Sequence, residues 1–286
     1  MDARTAETTA GAWPPGKVAE LLGVSPVTLR SWSARYGIGP EPRGRQRRYT
    51  DLDVRRLQHM RRLIESGIRP REAAATAFAD AVRRAGLPAD ERIDDLASAA
   101  ESLRPDALAV LLDDTIADLG ASGAWTGVFQ PLLRRFGDRW QAGDSCFGVE
   151  WLLAAEIAQA FERFSRGRPP SGARPVLLAC CPAERHSLPV EALRAALLEN
   201  GVPALSCGPA APAEATVDLA AKLAPPLVVL WARSAPAADD LLAARLRQAG
   251  TPVVFAGPGW APLAHRIGPW VGDLPSAVAV IGERVR

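Results

Sequence analysis

Cysteine is scarce in this chain: four stand in 286 residues (Cys146, Cys180, Cys181, Cys207), with no C-x-x-C or other metal-ligand spacing. That argues against a zinc site built on paired thiols, and it fits a reducing cytoplasm. Adjacent Cys180 and Cys181 close an apolar run, where small buried thiols are expected. There is no n-region and h-region of a secretory leader, and no apolar run long enough to span a bilayer. A Gly-rich phosphate cradle, a nucleophile–base pair and, after Arg71, a sustained heptad repeat are all missing as well. Aromatic residues make up only 6% of the chain, although eight of them are Trp. What remains is a chain rich in Leu, Ala and Val, long enough for two or three domains.

The overall charge of +2 conceals a strong segregation. Residues 12–71 carry thirteen Lys and Arg against five Asp and Glu, a net of +8, so the rest of the chain is acidic. One basic end on a mildly acidic protein is an electrostatic footprint for phosphate. Within it, Lys17 to Leu22 has helical apolar spacing and Gly23 ends the helix. Ser25 is an N-cap, and Pro26 opens a second helix to Arg35. Two short helices around a Gly-containing turn form a unit that enters a DNA major groove. Four arginines then fall in the seven residues Arg43-Gly44-Arg45-Gln46-Arg47-Arg48-Tyr49. His59, at helical spacing among arginines, is expected at the surface.

Val18-Ala19, Leu22-Gly23-Val24-Ser25, Thr28-Leu29-Arg30, Trp32, Arg47 and Tyr49-Thr50, followed by Asp53 and Leu57, resemble the winged helix-turn-helix of the MerR transcription regulators. The resemblance implies binding to double-stranded DNA. Thr28 and Arg30 would face the groove with Trp32 beside them, and Arg43, Arg45, Arg47, Arg48 and Tyr49 would form a wing on the backbone. Backbone contacts position such a protein and add salt-dependent affinity, and groove contacts supply sequence choice.

Helical apolar spacing continues from Pro70 to Ala100, with a break near Gly86-Leu87-Pro88, and recurs over residues 105–119, 125–142 and 147–164. After a Pro/Gly/Arg stretch the period changes. Short apolar runs over residues 176–180, 203–207, 227–231 and 252–256 alternate with amphipathic segments over 190–200, 214–223 and 237–248. This pattern predicts a doubly wound parallel sheet whose ligands sit beyond the C-terminal strand ends. The expected fold is multidomain α and α/β: winged helix-turn-helix, helical bundle and Rossmann-like parallel sheet. The expected boundaries are a disordered tail over 1–11, a DNA-binding domain over 12–80, a bundle over 88–165, a linker over 166–174 and a sheet domain over 175–286.

The loop after the first strand reads Glu184-Arg185-His186-Ser187-Leu188-Pro189. With the domain order, it resembles the cobalamin-dependent repressors of the CarH type, whose sheet module carries D-x-H-x-x-G. The resemblance implies cobalamin as cofactor, His186 as the lower ligand of its cobalt, and Glu184 as the acid that fixes the imidazole. Trp140 and Glu150 match the bundle's W-x9-E-H motif and would cover the upper face. Gly257 and Gly259 match a later Gly-Gly. Four positions depart: Pro189 stands for the motif's Gly, Trp231 for the Ser of a Ser-x-Leu that lines the slot for the nucleotide tail, Trp151 for the bundle His, and Pro258 interrupts the glycines.

Two readings of the C-terminal half therefore stand side by side. In one it senses a ligand, cobalamin being the first candidate, and assembles the protein into a homodimer or homotetramer. In the other it has lost cobalamin and serves as an interaction platform or a pocket for another planar molecule, lined by Trp140, Trp151, Trp231 and Trp260. Core packing is the more ordinary use of such tryptophans, and His265, near Trp260, is a minor pocket candidate. A corrinoid-carrier enzyme subunit is a further alternative, opposed by the DNA module. A non-enzymatic, cytoplasmic regulator without membrane contact is expected.

Overall fold

The computed structural model describes residues 13–37, 39, 48–84, 86–166 and 173–286. The expected tail over 1–11, Arg43, Arg45, Arg47 and most of the expected linker lie outside them. The chain divides into two compact units, Met1–Arg92 with Asp113–Asp118, and Ile93–Leu112 with Leu119–Arg286.

The first unit begins with α1 (Pro15–Leu21) and α2 (Pro26–Tyr36). Gly23 takes a φ of 58° in the turn between them, a conformation glycine adopts without a Cβ penalty. Ser25 caps α2 by accepting the Thr28 N–H at 3.0 Å, with Pro26 at the first helical position. α3 (Asp51–Glu65) starts from a reciprocal cap between Thr50 and Asp53, and α4 (Pro70–Arg84) follows. Val18, Ala19, Leu22, Leu29, Leu57, Met60 and Ala73 form the core. His59 corrects the surface expectation, being buried at 8% exposure. Arg55, Arg56, Arg61 and Arg62 on the same helix are likewise partly buried. Arginine stems can cover apolar surface while the guanidinium finds a polar partner, so an arginine-rich string does not mark an outer face. Arg61, for example, donates to the Leu22 carbonyl at the end of α1.

The second unit contains the bundle helices α5 (Ala89–Glu101, from Ile93 onward), α6 (Pro105–Ala124, apart from Asp113–Asp118), α7 (Gln130–Gln141) and α8 (Phe147–Arg166). Phe129, Phe136, Phe161, Leu132 and Ile157 fill the bundle core, and Phe129 meets Phe161 edge-on at 5.6 Å. The path from α6 to α7 is irregular twice. Gly120 leaves helical geometry (φ 72°, ψ 168°), and the restarted helix is capped by Glu199, which accepts the Ala121 N–H at 2.9 Å. Trp125–Phe129 then form a single π-helical turn.

The sheet consists of β1 (Val176–Cys180), β2 (Ala204–Ser206), β3 (Val228–Trp231), β4 (Val253–Ala256) and β5 (Trp270–Val271). All neighbours pair in parallel, in the order β2-β1-β3-β4-β5. The crossovers are α9 (Leu188–Glu199), α10 (Ala213–Leu223), α11 (Asp240–Gln248) and the short α12 (Ala264–Ile267), and α13 (Leu274–Arg284) closes the chain. Four strands and three crossovers follow the apolar runs read from sequence, whereas β5, two residues long, and α13 were not foreseen. The strand order reverses direction between β1 and β3, and ligands of such sheets bind outside the C-terminal strand ends at that switch point. Among the described residues no helix is long and apolar enough to cross a membrane, and no group of three or more His, Cys, Asp or Glu is placed to hold a metal ion.

Candidate functional site

In the first unit, α2 leaves Arg30 exposed and Thr28 half-exposed on its N-terminal half. Thr28 Oγ1 also meets Ser25 Oγ at 2.9 Å, so the hydroxyl is held at the helix start. Of the expected DNA contacts, Tyr49 belongs to the interior instead and Trp32 is half-buried. Tyr49 is 1% exposed, its hydroxyl 3.0 Å from Ser33 Oγ, and its backbone pairs with Trp13 as an antiparallel bridge. A buried ring cannot grip a phosphate, so Tyr49 anchors the segment that follows the arginines. Trp32 packs against the same core. Arg48 is exposed.

In the second unit, the switch point is occupied by a tightly organised loop. Glu184 follows β1 and is 2% exposed. One carboxylate oxygen accepts the His186 N–H and the His186 Nδ1–H, both at 2.7 Å, and the other accepts the Arg233 N–H at 2.6 Å. Burial alone would raise the Glu184 pKa, but the N–H donors of Arg233 and His186 outweigh it and hold it below the ordinary carboxylate range. An ionised acceptor at Nδ1 puts the neutral imidazole's proton there and leaves the lone pair on Nε2. The His186 side chain is 58% exposed.

Directly across from Cys180 in the strand register stands Trp231, the last residue of β3. Its Nε1–H donates to the His186 main-chain carbonyl at 2.9 Å. The ring passes so close to Gly257 that a Cβ there would lie 2.6 Å from it, and Gly257 itself takes a φ of 97°. Gly259 serves the turn rather than the loop, since a Cβ on it would meet the Ser234 carbonyl at 2.4 Å. Trp231 lines a slot with Leu178, Val190, Leu193, Val229 and Leu274, and a cavity of about 110 Å³ is left in it. The π-helical turn contributes Trp125 and Thr126 to its wall, with Gln130 just beyond. None of these three was legible as a site residue, because a π turn has no sequence periodicity of its own.

The bundle residues form a separate group. Trp140 and Trp151, 51% and 71% exposed, are joined through Phe147, 52% exposed, with ring centroids 5.6 and 6.0 Å apart. This corrects the expectation of core packing for Trp140 and Trp151. Trp260, by contrast, is fully buried against Phe255. Phe147 was missed, although its place four residues before Trp151 puts both on one helix face. Glu150 lies half-buried on the first turn of α8, and His265 is exposed on α12.

The two ends of the expected cobalamin site differ in fit. Glu184 and His186 form a carboxylate-held, exposed imidazole of the kind that could hold a metal. The slot does not fit a nucleotide tail: Trp231 stands in it, and about 110 Å³ is well short of the roughly 300–1,000 Å³ typical of small-molecule pockets.

The MerR HTH family regulatory protein profile matches residues 14–77. The HTH-type transcriptional repressor CarH of Myxococcus xanthus is 30% identical over 260 residues, 84% of this chain and 86% of that protein. The repressor CarA of the same organism is 29% identical over 175 residues, 59% and 58% of the two chains. Among solved structures, the monomethylamine corrinoid protein of Methanosarcina barkeri shares the fold at a TM-score of 0.53 and 17% identity, over 68% of this chain and 98% of that one.

Proposed function

The chain belongs to the CarH-type transcription regulators of the MerR family, and from that premise we propose that it binds operator DNA through α1 and α2 while its C-terminal half senses a ligand at the Glu184–His186 loop. The observation that carries the sensing role is the imidazole at the β1/β3 switch point, more than half exposed and with Nδ1 fixed by a buried carboxylate. A metal ligand gains a fixed tautomer and orientation from the 2%-exposed acid bonded to its ring, in addition to the acid's hold on the loop backbone. The ligand class this suits is a cobalt corrinoid, which His186 would hold and which would supply a metal centre that accepts a nitrogen donor.

The exposed Trp140–Phe147–Trp151 patch favours a second, compatible role in joining copies of the chain, because contiguous apolar rings in water mark interaction surfaces. In this reading the protein acts as a homodimer or homotetramer on a repeated operator in the cytoplasm. The DNA-binding head supports a regulator rather than a carrier subunit in methyl transfer.

Binding of the full-length protein to duplex DNA tests the reading. Affinity is expected to fall steeply with added salt, as phosphate contacts release counterions, and to respond to corrinoid. A protein that ignores duplexes of every sequence at low ionic strength, with or without corrinoid, would not be a regulator of this kind.

A further inference from the structure

We propose that Trp231 is a resident substitute for the nucleotide base of cobalamin, so that the His186 site takes a corrinoid lacking its nucleotide tail and rejects the complete cofactor. The inference rests on the corrinoid reading of His186 given above.

The first argument is position. Trp231 ends β3 opposite Cys180, at the crossing where the strand order reverses and where a ligand's buried part would enter the sheet. Chemistry is the second. The base of the cobalamin tail is a benzimidazole, a six-membered ring fused to a five-membered one, and the indole of Trp231 has that same outline. The walls around it are apolar (Leu178, Val190, Leu193, Val229), as an aromatic bicycle requires.

Fixation is the third argument. The indole N–H is bonded to the His186 carbonyl, and the ring is set against Gly257, the one residue type whose lack of a Cβ lets it lie there. Swinging the ring out would break that hydrogen bond and expose apolar surface, so the slot does not open without cost. Pro189, also on the slot wall, removes a main-chain N–H that a tail could have used. The metal-facing end stays intact meanwhile, since Trp231 engages the His186 carbonyl and leaves the imidazole exposed.

The test compares two probes, aquacobalamin and diaquacobinamide, on the full-length protein. Corrinoid retained after gel filtration and its visible spectrum are read for wild type, Trp231→Ser, His186→Ala and the double variant. Wild type is expected to hold cobinamide with a spectrum that His186→Ala alters, and to hold cobalamin at least about tenfold more weakly, a difference of about 1.4 kcal/mol. Trp231→Ser should raise cobalamin affinity at least about tenfold, with a spectral change lost in the double variant. Wild type that binds cobalamin as tightly as cobinamide through His186 would overturn the proposal, with no variant needed. A folded Trp231→Ser that still prefers cobinamide overturns it too. If neither probe binds wild type or a folded Trp231→Ser, the corrinoid reading itself fails, and that result is distinct from the other two.

Discussion

The Trp231 indole and the His186 backbone are joined by one hydrogen bond of 2.9 Å, so the residue that walls the slot and the residue whose imidazole Glu184 holds share one loop anchor. Beneath them Glu184 holds both the loop and the start of the segment after β3, through His186 and Arg233.

Glu184→Gln should therefore destabilise the second unit and change its response to acid. Losing a charged acceptor for two main-chain N–H groups and an imidazole costs about 2–4 kcal/mol at neutral pH. The folded-state pKa is lowered, so this contribution is present above the ordinary carboxylate pKa and is lost as pH falls through the lowered value. Urea titrations of wild type and variant should differ most near neutrality and converge in acid.

Tyr49 separates anchoring from DNA contact. Tyr49→Phe loses only the Ser33 partner and is expected to cost about 1 kcal/mol, leaving DNA affinity unchanged. Tyr49→Ala empties a fully buried site and should cost about 3–5 kcal/mol. Denaturation and DNA titration of both variants check this. A large affinity loss in a stable Tyr49→Phe would return the residue to the interface.

Arg30→Ala should behave in the opposite way. The side chain is exposed, so stability should stay within about 0.5 kcal/mol of wild type. Operator affinity should fall by about 1–3 kcal/mol, with selectivity relaxed at one base pair. Competition binding across single-base operator variants measures both.

Gly257→Ala sets a Cβ 2.5 Å from the Ala232 carbonyl and 2.6 Å from the Trp231 ring, at a φ of 97°. Strain and overpacking together should cost about 2–4 kcal/mol. Trp231→Ser should relieve only part of that, because the carbonyl contact remains. A thermal-melt double-mutant cycle gives the coupling.

The thiols should be quiet. Burial first, then the nearby Glu184 charge, pushes Cys180 up to about 12, and burial pushes Cys181 up to about 11. Cys146 is buried as well. A thiol reagent at mildly alkaline pH should leave these three unreacted in the native protein and reach them on unfolding, with half-buried Cys207 the first to respond.

Sequence legibility varied with the physics behind each element. Strands β1 to β4 could be read because parallel strands covered on both faces are almost continuously apolar. The caps at Ser25 and Pro26 could be read because they satisfy local donors within the string itself. β5, with two residues, carries no period. The exposure of Trp140 and Trp151 runs against the usual fate of tryptophan, and the burial of His59 depends on how neighbouring helices enclose α3. Trp231 was visible as a departure at the expected tail position, but its latch to a carbonyl 45 residues away belongs to the fold alone.

The cap at Gly120 has a practical outcome for anyone dissecting this regulator. A side chain from the far end of α9 terminates the break in a bundle helix, and a Cβ at Gly120 would press on that same carboxylate. Arg194 of α9 adds a second clasp to Glu162 of α8. Cutting between bundle and sheet would orphan the Ala121 amide and leave one half of each clasp bare, so the smallest excisable C-terminal piece is both layers together.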